Sequence, residues 1–497
     1  MQVRDDQVFT LSDEVKPYAR KAVLFDYAVH LTEKGYPAPT VMMELRDANE
    51  TRCPLPLEDK ELAVIATSAI KYAGCKEKSC FSHDAFGDML IYCHHACLMD
   101  GVPMIWDGES YQIGQDKVIR FAVDIRPSLK TSEIKELMNY LANRAPRVSA
   151  SSSRYIAFRN CVVDLATGDT LENTPELHIP NLIPHNWNPD AVCPAVDEAL
   201  MGWACGRDDI YAALVELVGL CLYRGREFQG GTFLTGTGAN GKSTFLNLVM
   251  GLLGAENTSA LDIWSLGERF QSNALAGVLA NIGDDIANER LSGKALAVLK
   301  KVTAGNWVNA EIKGGRTYEF RPYATCVFSC NQMPRLADNS EGMYRRFRII
   351  PFLATFSAGS ASCDPRLESQ LSGEDAMERI AFLGVQALMR ARERGSLTQV
   401  AEQNEMIDSI RKENSSVFQF ACEELGYGTP EAQGVIGCAS TDLHGNYQAY
   451  CDVAGLRPVS RNTFTTEIGN LYEVTTERRW TDTMDGYKQR AVFMPKN

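Results

Sequence analysis

At 497 residues, with 45% hydrophobic and 23% charged side chains, the chain is long enough for about three domains and has an ordinary globular balance. No apolar run reaches the roughly 18 residues of a membrane span, and the start, MQVRDDQVFTLSDEVKPYARK, lacks the basic-then-apolar layout of a signal peptide, so a cytoplasmic location and no membrane partner are expected. A formal net charge of -13 excludes a protein that coats nucleic acid with its whole surface, though not one that binds DNA through a local basic patch, and the 15 scattered cysteines read as reduced core thiols.

Residues 1–75 read as a small helical domain, with YARKAVLFDYAVHLTEKG and LEDKELAVIATSAIKYAG as two helices about the connector CPLPLE. Residues 76–227 read as a helical and mixed domain. It starts with a helix over FGDMLIYCHHACLMDG and a hairpin over VPMIWDGESYQIG that turns at Asp107-Gly108. A helix over LKTSEIKELMNYLANRAP follows, capped by Thr131 and stopped by Pro146, with Ile134, Leu137, Met138 and Leu141 on one stripe. RVSASSS suggests a flexible joint, YIAFRNCVVDLATGD a β segment turned by Gly168, and VDEALMGWACGRDDIYAALVELVGLCLYRG a helical region. Residues 228–410 form a nucleotide-binding core with trailing helices. In residues 411–497, helices at FQFACEE and STDLHGNYQAYCDVAG, a polar connector VSRNTFTTEIGN and a β-like run YKQRAVFMP suggest a winged-helix-like domain. The fold class expected is therefore multidomain α/β.

GTGANGKST, Gly236 to Thr244, satisfies the phosphate-loop pattern G-x-x-x-x-G-K-[ST] between an apolar strand, TFLT, and a helix, STFLNLVMGLLG. Gly236, Gly238, Asn240 and Gly241 let backbone N–H groups converge on phosphate, and the helix turns its positive end to the same charge. Lys242 then reaches the β and γ phosphates of ATP and Ser243 offers a hydroxyl to Mg²⁺, while Thr244 serves the helix start. A neighbouring strand, VLANI, ends at Asp284-Asp285, which divides the work of holding hydrated Mg²⁺ (Asp284) and orienting or deprotonating the attacking water (Asp285). The strand YATCVFSCNQMP delivers Asn331, whose amide donates and accepts between γ-phosphate and water. In MYRRFRIIPF one guanidinium, Arg345 or Arg346, neutralises charge on the transferred phosphoryl of an adjacent subunit, and the remaining arginines pair with surface carboxylates.

Residues 290–321 hold seven Lys or Arg against two Glu, a locally positive stretch in an acidic chain. Gly314-Gly315 signals a hairpin with Lys313 and Arg316 at its tip, placed to meet a DNA phosphate backbone without reading bases. Cys75, Cys80 and His83, with Cys93, His94, His95 and Cys97, invite a zinc site; the spacing is not that of a finger and the second group falls on an expected helix, so a core or surface cluster is expected instead. Trp106, Trp187 and Trp307 are expected as packing groups.

These segments resemble the superfamily 3 helicases, specifically the phage and plasmid replication proteins related to the poxvirus primase-helicase. TGTGANGKSTFLNLVMGLLG is similar to their phosphate loop and VLANIGDDIA to their acidic strand. LKKVTAGNWVNAEIKGGRTYEFRPYATCVFSCNQMP is similar to their hairpin and sensor segment, and MYRRFRIIPF to their arginine-finger segment. FRNCVVDLATGD, IPHNWNPDAVCP and ELVGLCLYRGREFQGGTFLTG are similar to the helical domain before their ATPase. The resemblance implies an AAA+-like core and a homohexameric ring on single-stranded or forked DNA. It also implies ATP-driven unwinding in phage or plasmid replication, and a bacterial host cytoplasm. Two departures stand out. Ala304-Gly305-Asn306 follows Thr303 where the family often has Gly-Gly-Asp, and the first 75 residues contain no carboxylate trio for primer synthesis, so a separate primase or polymerase partner is expected. An ATP-driven loader or remodeller, or a nucleotide-gated replication scaffold, fits the same residues without unwinding.

Overall fold

The computed structural model describes residues 11–12, 14–77, 80–228, 230–287, 289, 291, 293–311, 317–334, 341–356, 366–429, 433–483 and 486–496, in two compact units, 1–189 and 190–497.

In the first unit, helices Arg20–Glu33, Asp59–Glu77, His83–Cys93 and Thr131–Arg144 share one apolar interior that includes Phe25, Ile65, Leu90 and Leu141. The expected boundary near residue 75 therefore separates no two cores. Between the two expected N-terminal helices lies a third, Ala38–Arg52, which buries Val41, Leu45 and Ala48. Its proline falls in the first turn, where the missing N–H has no helical partner to lose. The helix expected to run through Cys97 stops at Cys93; His95 has φ 47 and the chain enters a strand, Cys97–Met99. The Cys and His residues therefore share no helix face. The Cys93 thiol donates to Asp26 Oδ1 at 3.7 Å, and the His94 ring meets Phe121 edge-on at 4.8 Å. Among the described residues no group of three or more His, Cys, Asp or Glu is placed to hold a metal ion. The hairpin Val102–Trp106 with Tyr111–Ile113 forms as expected, and Asp107 Oδ1 accepts from the N–H of Glu109 and Ser110 at 2.9 and 2.8 Å. Arg147–Val148, expected in a joint, instead pairs parallel with Cys97–Met99.

The second unit is built on a five-stranded parallel sheet of β1 (Gly231–Thr235), β2 (Thr258–Ser259), β3 (Ala280–Ile286), β4 (Thr325–Cys330) and β5 (Phe347–Pro351), in the order β2-β3-β4-β1-β5. Every residue of β1 and β5 is buried, the reason both read as uninterrupted rather than alternating patterns. Phe233, Phe328, Phe347 and Ile349 pack with Leu296 and Leu299 of the helix Gly293–Thr303.

Residues 190–227, expected with the preceding domain, pack into this second unit. The helix Asp208–Cys221 crosses the helix Glu374–Arg394 at a pair of glycines. A Cβ on Gly219 would lie 2.3 Å from Gly384 O, and one on Gly384 would lie 2.7 Å from Val218 Cγ1, so side chains at either place would force the helices apart. At this contact Glu216, 4% exposed, accepts from Arg348 Nη2 at 2.5 Å, Arg394 Nη2 at 2.7 Å, and the Thr398 N–H and hydroxyl at 2.9 and 2.7 Å. Arg348 thus pairs with a buried carboxylate and not with a surface one. Glu216→Ala is expected to destabilise this unit by about 3–5 kcal/mol, because it strands a buried guanidinium. Urea unfolding of the full chain measures it, and a change below about 1 kcal/mol would show that the network is dispensable.

The last part of this unit is a bundle of helices Ser416–Glu423, Ser440–Ala454 and Arg461–Leu471 with a hairpin, Val474–Thr483 against Gly486–Pro495, around Phe420, Tyr447, Phe464 and Phe493. The expected connector VSRNTFTTEIGN is a helix in fact. Ser460 caps it by accepting from the Thr463 N–H, and Phe464 and Ile468, one turn apart, hold it to the core.

Candidate functional site

Open parallel sheets place ligands beyond the carboxyl ends of their strands, where connections diverge to opposite sides. Here β1 leads out to the far edge strand β2, whereas the chain after β4 passes over β1 to β5. The segment leaving β1 is the glycine loop 236–241, and it delivers the helix Lys242–Leu253. Gly238 and Gly241 have φ 103 and 86, the left-handed conformations such a loop requires. A Cβ on Gly241 would also lie 2.2 Å from the indole nitrogen of Trp203, so the loop closes directly on that ring. Residues past β5 brace the other side: the Phe356 N–H donates to Ala239 O at 2.7 Å and Asn240 Nδ2 to Phe352 O at 3.3 Å.

Lys242 is 7% exposed, and its ammonium donates to Gly236 O at 2.9 Å, Asn240 Oδ1 at 3.0 Å and Asn331 Oδ1 at 3.3 Å. Lys242 and Asn331, 89 positions apart, are therefore brought together. Burial pushes the Lys242 ammonium below its usual range, opposed by Cys330, Asp284 and Asp285. Burial also pushes the Cys330 thiol up to about 12, so at neutral pH the opposition comes from the carboxylates. Ser243 is exposed and Thr244 half-buried on the first helical turn.

Asp284 and Asp285 lie inside β3 and not beyond its end, at a bulge where pairing with β4 shifts register between Gly283 and Ile286. Asp285 has φ 49, and both acids are exposed in an otherwise buried strand. A bulge re-aims side chains in this way, turning two successive carboxylates out of a core strand together. The sequence reading missed Ser329, wholly buried on β4. Its hydroxyl donates to Asp284 Oδ1 and accepts from the Asp285 N–H at 2.9 Å. The run ATCVFSC shows two hydroxyls in an apolar strand, Thr325 and Ser329, but not the partner of either.

The three arginines before and in β5 separate. Arg348 is in the buried network described above. Arg346 donates from Nη1 to Gly342 O and is half-buried. Arg345 is exposed. Lys313 and Arg316 lie outside the described residues; the strands that flank them, Val308–Glu311 and Thr317–Phe320, pair antiparallel with Glu311 opposite Thr317. Trp187 is buried against Phe158 and Trp106 packs on Tyr111, whereas Trp307, expected to pack, is 58% exposed, with the Arg321 guanidinium 6.0 Å from its ring centre.

Two family models match the chain. Residues 234–346, from the glycine loop to Arg346, match a family of unknown function, DUF5906, and residues 71–202 match the family described as D5 N terminal like. A protein of Acanthamoeba polyphaga mimivirus named as a helicase is 28% identical over 152 residues, which cover 29% of this chain. The match spans 15% of that relative's length. Two solved structures of the NrS-1 C-terminal region align at 10% and 12% identity, each over 79% of this chain and 93% of the other, with TM-scores of 0.48 and 0.47. The chain is a mixed α/β multidomain protein, with a D5 N terminal like segment and a similarity over part of its length to a viral protein named as a helicase. Among the described residues no helix is long and apolar enough to cross a membrane.

Proposed function

We propose that the second unit is a P-loop NTPase of the superfamily 3 type, which spends ATP to move a homohexameric ring along one strand of single-stranded or forked DNA during phage or plasmid replication. The observation that carries this reading is the convergence of Lys242, Asn331 and the Asp284-Asp285 bulge at the carboxyl edge of one parallel sheet. In this reading Lys242 exchanges its three neutral acceptors for β- and γ-phosphate oxygens. Asp285 orients and deprotonates the lytic water, and Asn331, released from Lys242, touches γ-phosphate. The Ser243 hydroxyl and Asp284 carboxylate are the hard oxygen donors that Mg²⁺ prefers, and the ion would neutralise charge on the phosphoryl group. Arg345, the exposed guanidinium, is the one offered to a neighbouring subunit's nucleotide. Lys313 and Arg316 contact the DNA backbone, and residues 411–497 act as a winged-helix domain, with three helices and a hairpin in support. Primer synthesis falls to a separate primase or polymerase.

DNA-stimulated ATP hydrolysis together with strand displacement on a forked duplex tests this reading. Hydrolysis without displacement at either tail polarity would make the protein a loader, and nucleotide-dependent assembly without turnover would make it a scaffold. Ser329→Ala provides a finer check. It removes a hydrogen bond to a charged group, worth about 1.5–3 kcal/mol, so kcat is expected to fall roughly 10- to 100-fold with KM for ATP nearly unchanged. An unaltered kcat would mean that the bulge holds the two acids unaided.

A further inference from the structure

The opposite, amino-terminal edge of the same sheet holds a cavity of about 50 Å³ with a mixed lining that includes Arg226, Thr232, Thr303, Tyr323, Thr325 and Arg348. Arg348 enters it from β5. Its side chain is 10% exposed, and Nη2 is taken by Glu216 and, at 3.4 Å, by Thr398 O. Its Nε and Nη1 are buried and make no hydrogen bond among the described residues. Arg226 approaches from the segment before β1: Nη2 donates to Arg321 O at 3.0 Å, while Nε is buried and likewise unpartnered. Two guanidiniums thus line one small space with N–H groups left over.

The charges do not balance locally. Glu216 is the carboxylate against Arg348, and it is shared with Arg394. Arg226 has another cation, Arg321, as its neighbour, and burial together with that cation pushes its guanidinium below the usual range. Buried N–H groups of a charged side chain are costly to leave unbonded. Forked guanidinium donors are the groups that recognise an oxyanion, and they are the donors here, because the Thr303 and Thr325 hydroxyls already donate to Leu299 O at 2.8 Å and Leu220 O at 2.9 Å. The space exceeds the roughly 10–15 Å³ that one water needs. ATP bound at the glycine loop does not fill it, because a strand rises about 3.3 Å per residue and Thr232 therefore lies roughly 13 Å before Gly236.

We propose that this cavity binds a phosphate-sized oxyanion, held by Arg348 and Arg226. The anion would bridge β5, two residues after Arg346, to the segment Arg321–Thr325 that connects the hairpin to β4, through Arg226. The site is separate from the nucleotide loop and stands whether or not the chain proves to be an ATPase.

Thermal unfolding of the full chain in inorganic phosphate, with ionic strength held constant by chloride, tests it. A saturable rise in Tm is expected, about 2–4 °C at tenfold excess over the midpoint. The rise should survive Lys242→Ala, which disables the glycine loop. In Arg226→Gln, a half-buried position chosen so that the fold survives, the midpoint should move at least about tenfold higher. Three results would overturn the proposal: no rise beyond that in chloride, a rise lost in Lys242→Ala and kept in Arg226→Gln, or a crystal structure grown in phosphate that shows only water between the two arginines.

Discussion

Lys242→Ala should reduce ATP turnover roughly a thousandfold, to background. The ammonium is buried at the glycine loop, and among the described residues it is held by three neutral oxygens and no carboxylate. Nothing with a full negative charge competes directly with an arriving phosphate for its hydrogen bonds. Its partners also belong to the machinery, since Gly236 and Asn240 shape the loop and Asn331 ends β4. Removal of the amine therefore takes away the charge proposed to bind phosphate and leaves Asn331 without its Lys242 partner. If the protein works as a ring, inactive Lys242→Ala subunits mixed with normal ones should lower total activity more steeply than their fraction. Steady-state hydrolysis with and without DNA measures both effects. Turnover within tenfold of the unaltered chain would remove the phosphate-loop reading, and a linear dilution curve would remove the ring.

The second large effect is expected at Arg345. An arginine supplied across an interface contributes about 10³–10⁵ in kcat to phosphoryl transfer. Arg345 is exposed, whereas the Arg346 guanidinium already donates to Gly342 O and its Nε is buried. Arg345→Ala should therefore lose hydrolysis almost as completely as Lys242→Ala while still binding ATP, since the guanidinium is proposed to act on a neighbour's nucleotide. Mixing separates the two roles. Subunits with Arg345→Ala and subunits with Lys242→Ala should partly restore each other, because an interface between them can combine one intact loop with one intact arginine. Arg346→Ala should instead loosen the turn into β5 and lower stability more than chemistry. Full activity in Arg345→Ala beside an inactive but well-folded Arg346→Ala would reverse the assignment. Lack of restoration in the mixture would argue that the arginine acts within its own subunit.

Much of the site was legible because its chemistry is local. Gly236 to Thr244 is one loop and one helix start, and the same backbone that needs left-handed glycines also needs the lysine that follows them. Asn331 follows a short apolar run and Asp284-Asp285 interrupt one, so each could be found by asking where a buried strand turns polar. Other features were hidden where local pattern and tertiary role diverge. Ala38–Arg52 and Arg461–Leu471 carry few apolar residues, and each holds its place by burying one narrow face against helices from elsewhere in the chain. The run Cys93–Cys97 has helical spacing, yet it turns because Cys97 is needed as a strand partner for Met104.

By itself the sequence determined what depends on neighbours along the chain: the glycine loop between a buried strand and a helix, the adjacent acid pair, and the absence of any long apolar span. Only tertiary structure decided which arginine is buried and which is exposed, since Arg345, Arg346 and Arg348 are alike as residues and differ only in what surrounds them. It also decided that Ser329 bridges the acid pair, and that residues 190–227 pack with the sheet. Such assignments depend on packing between segments up to 195 residues apart, as where Arg207 reaches Glu402, and no local pattern encodes that distance.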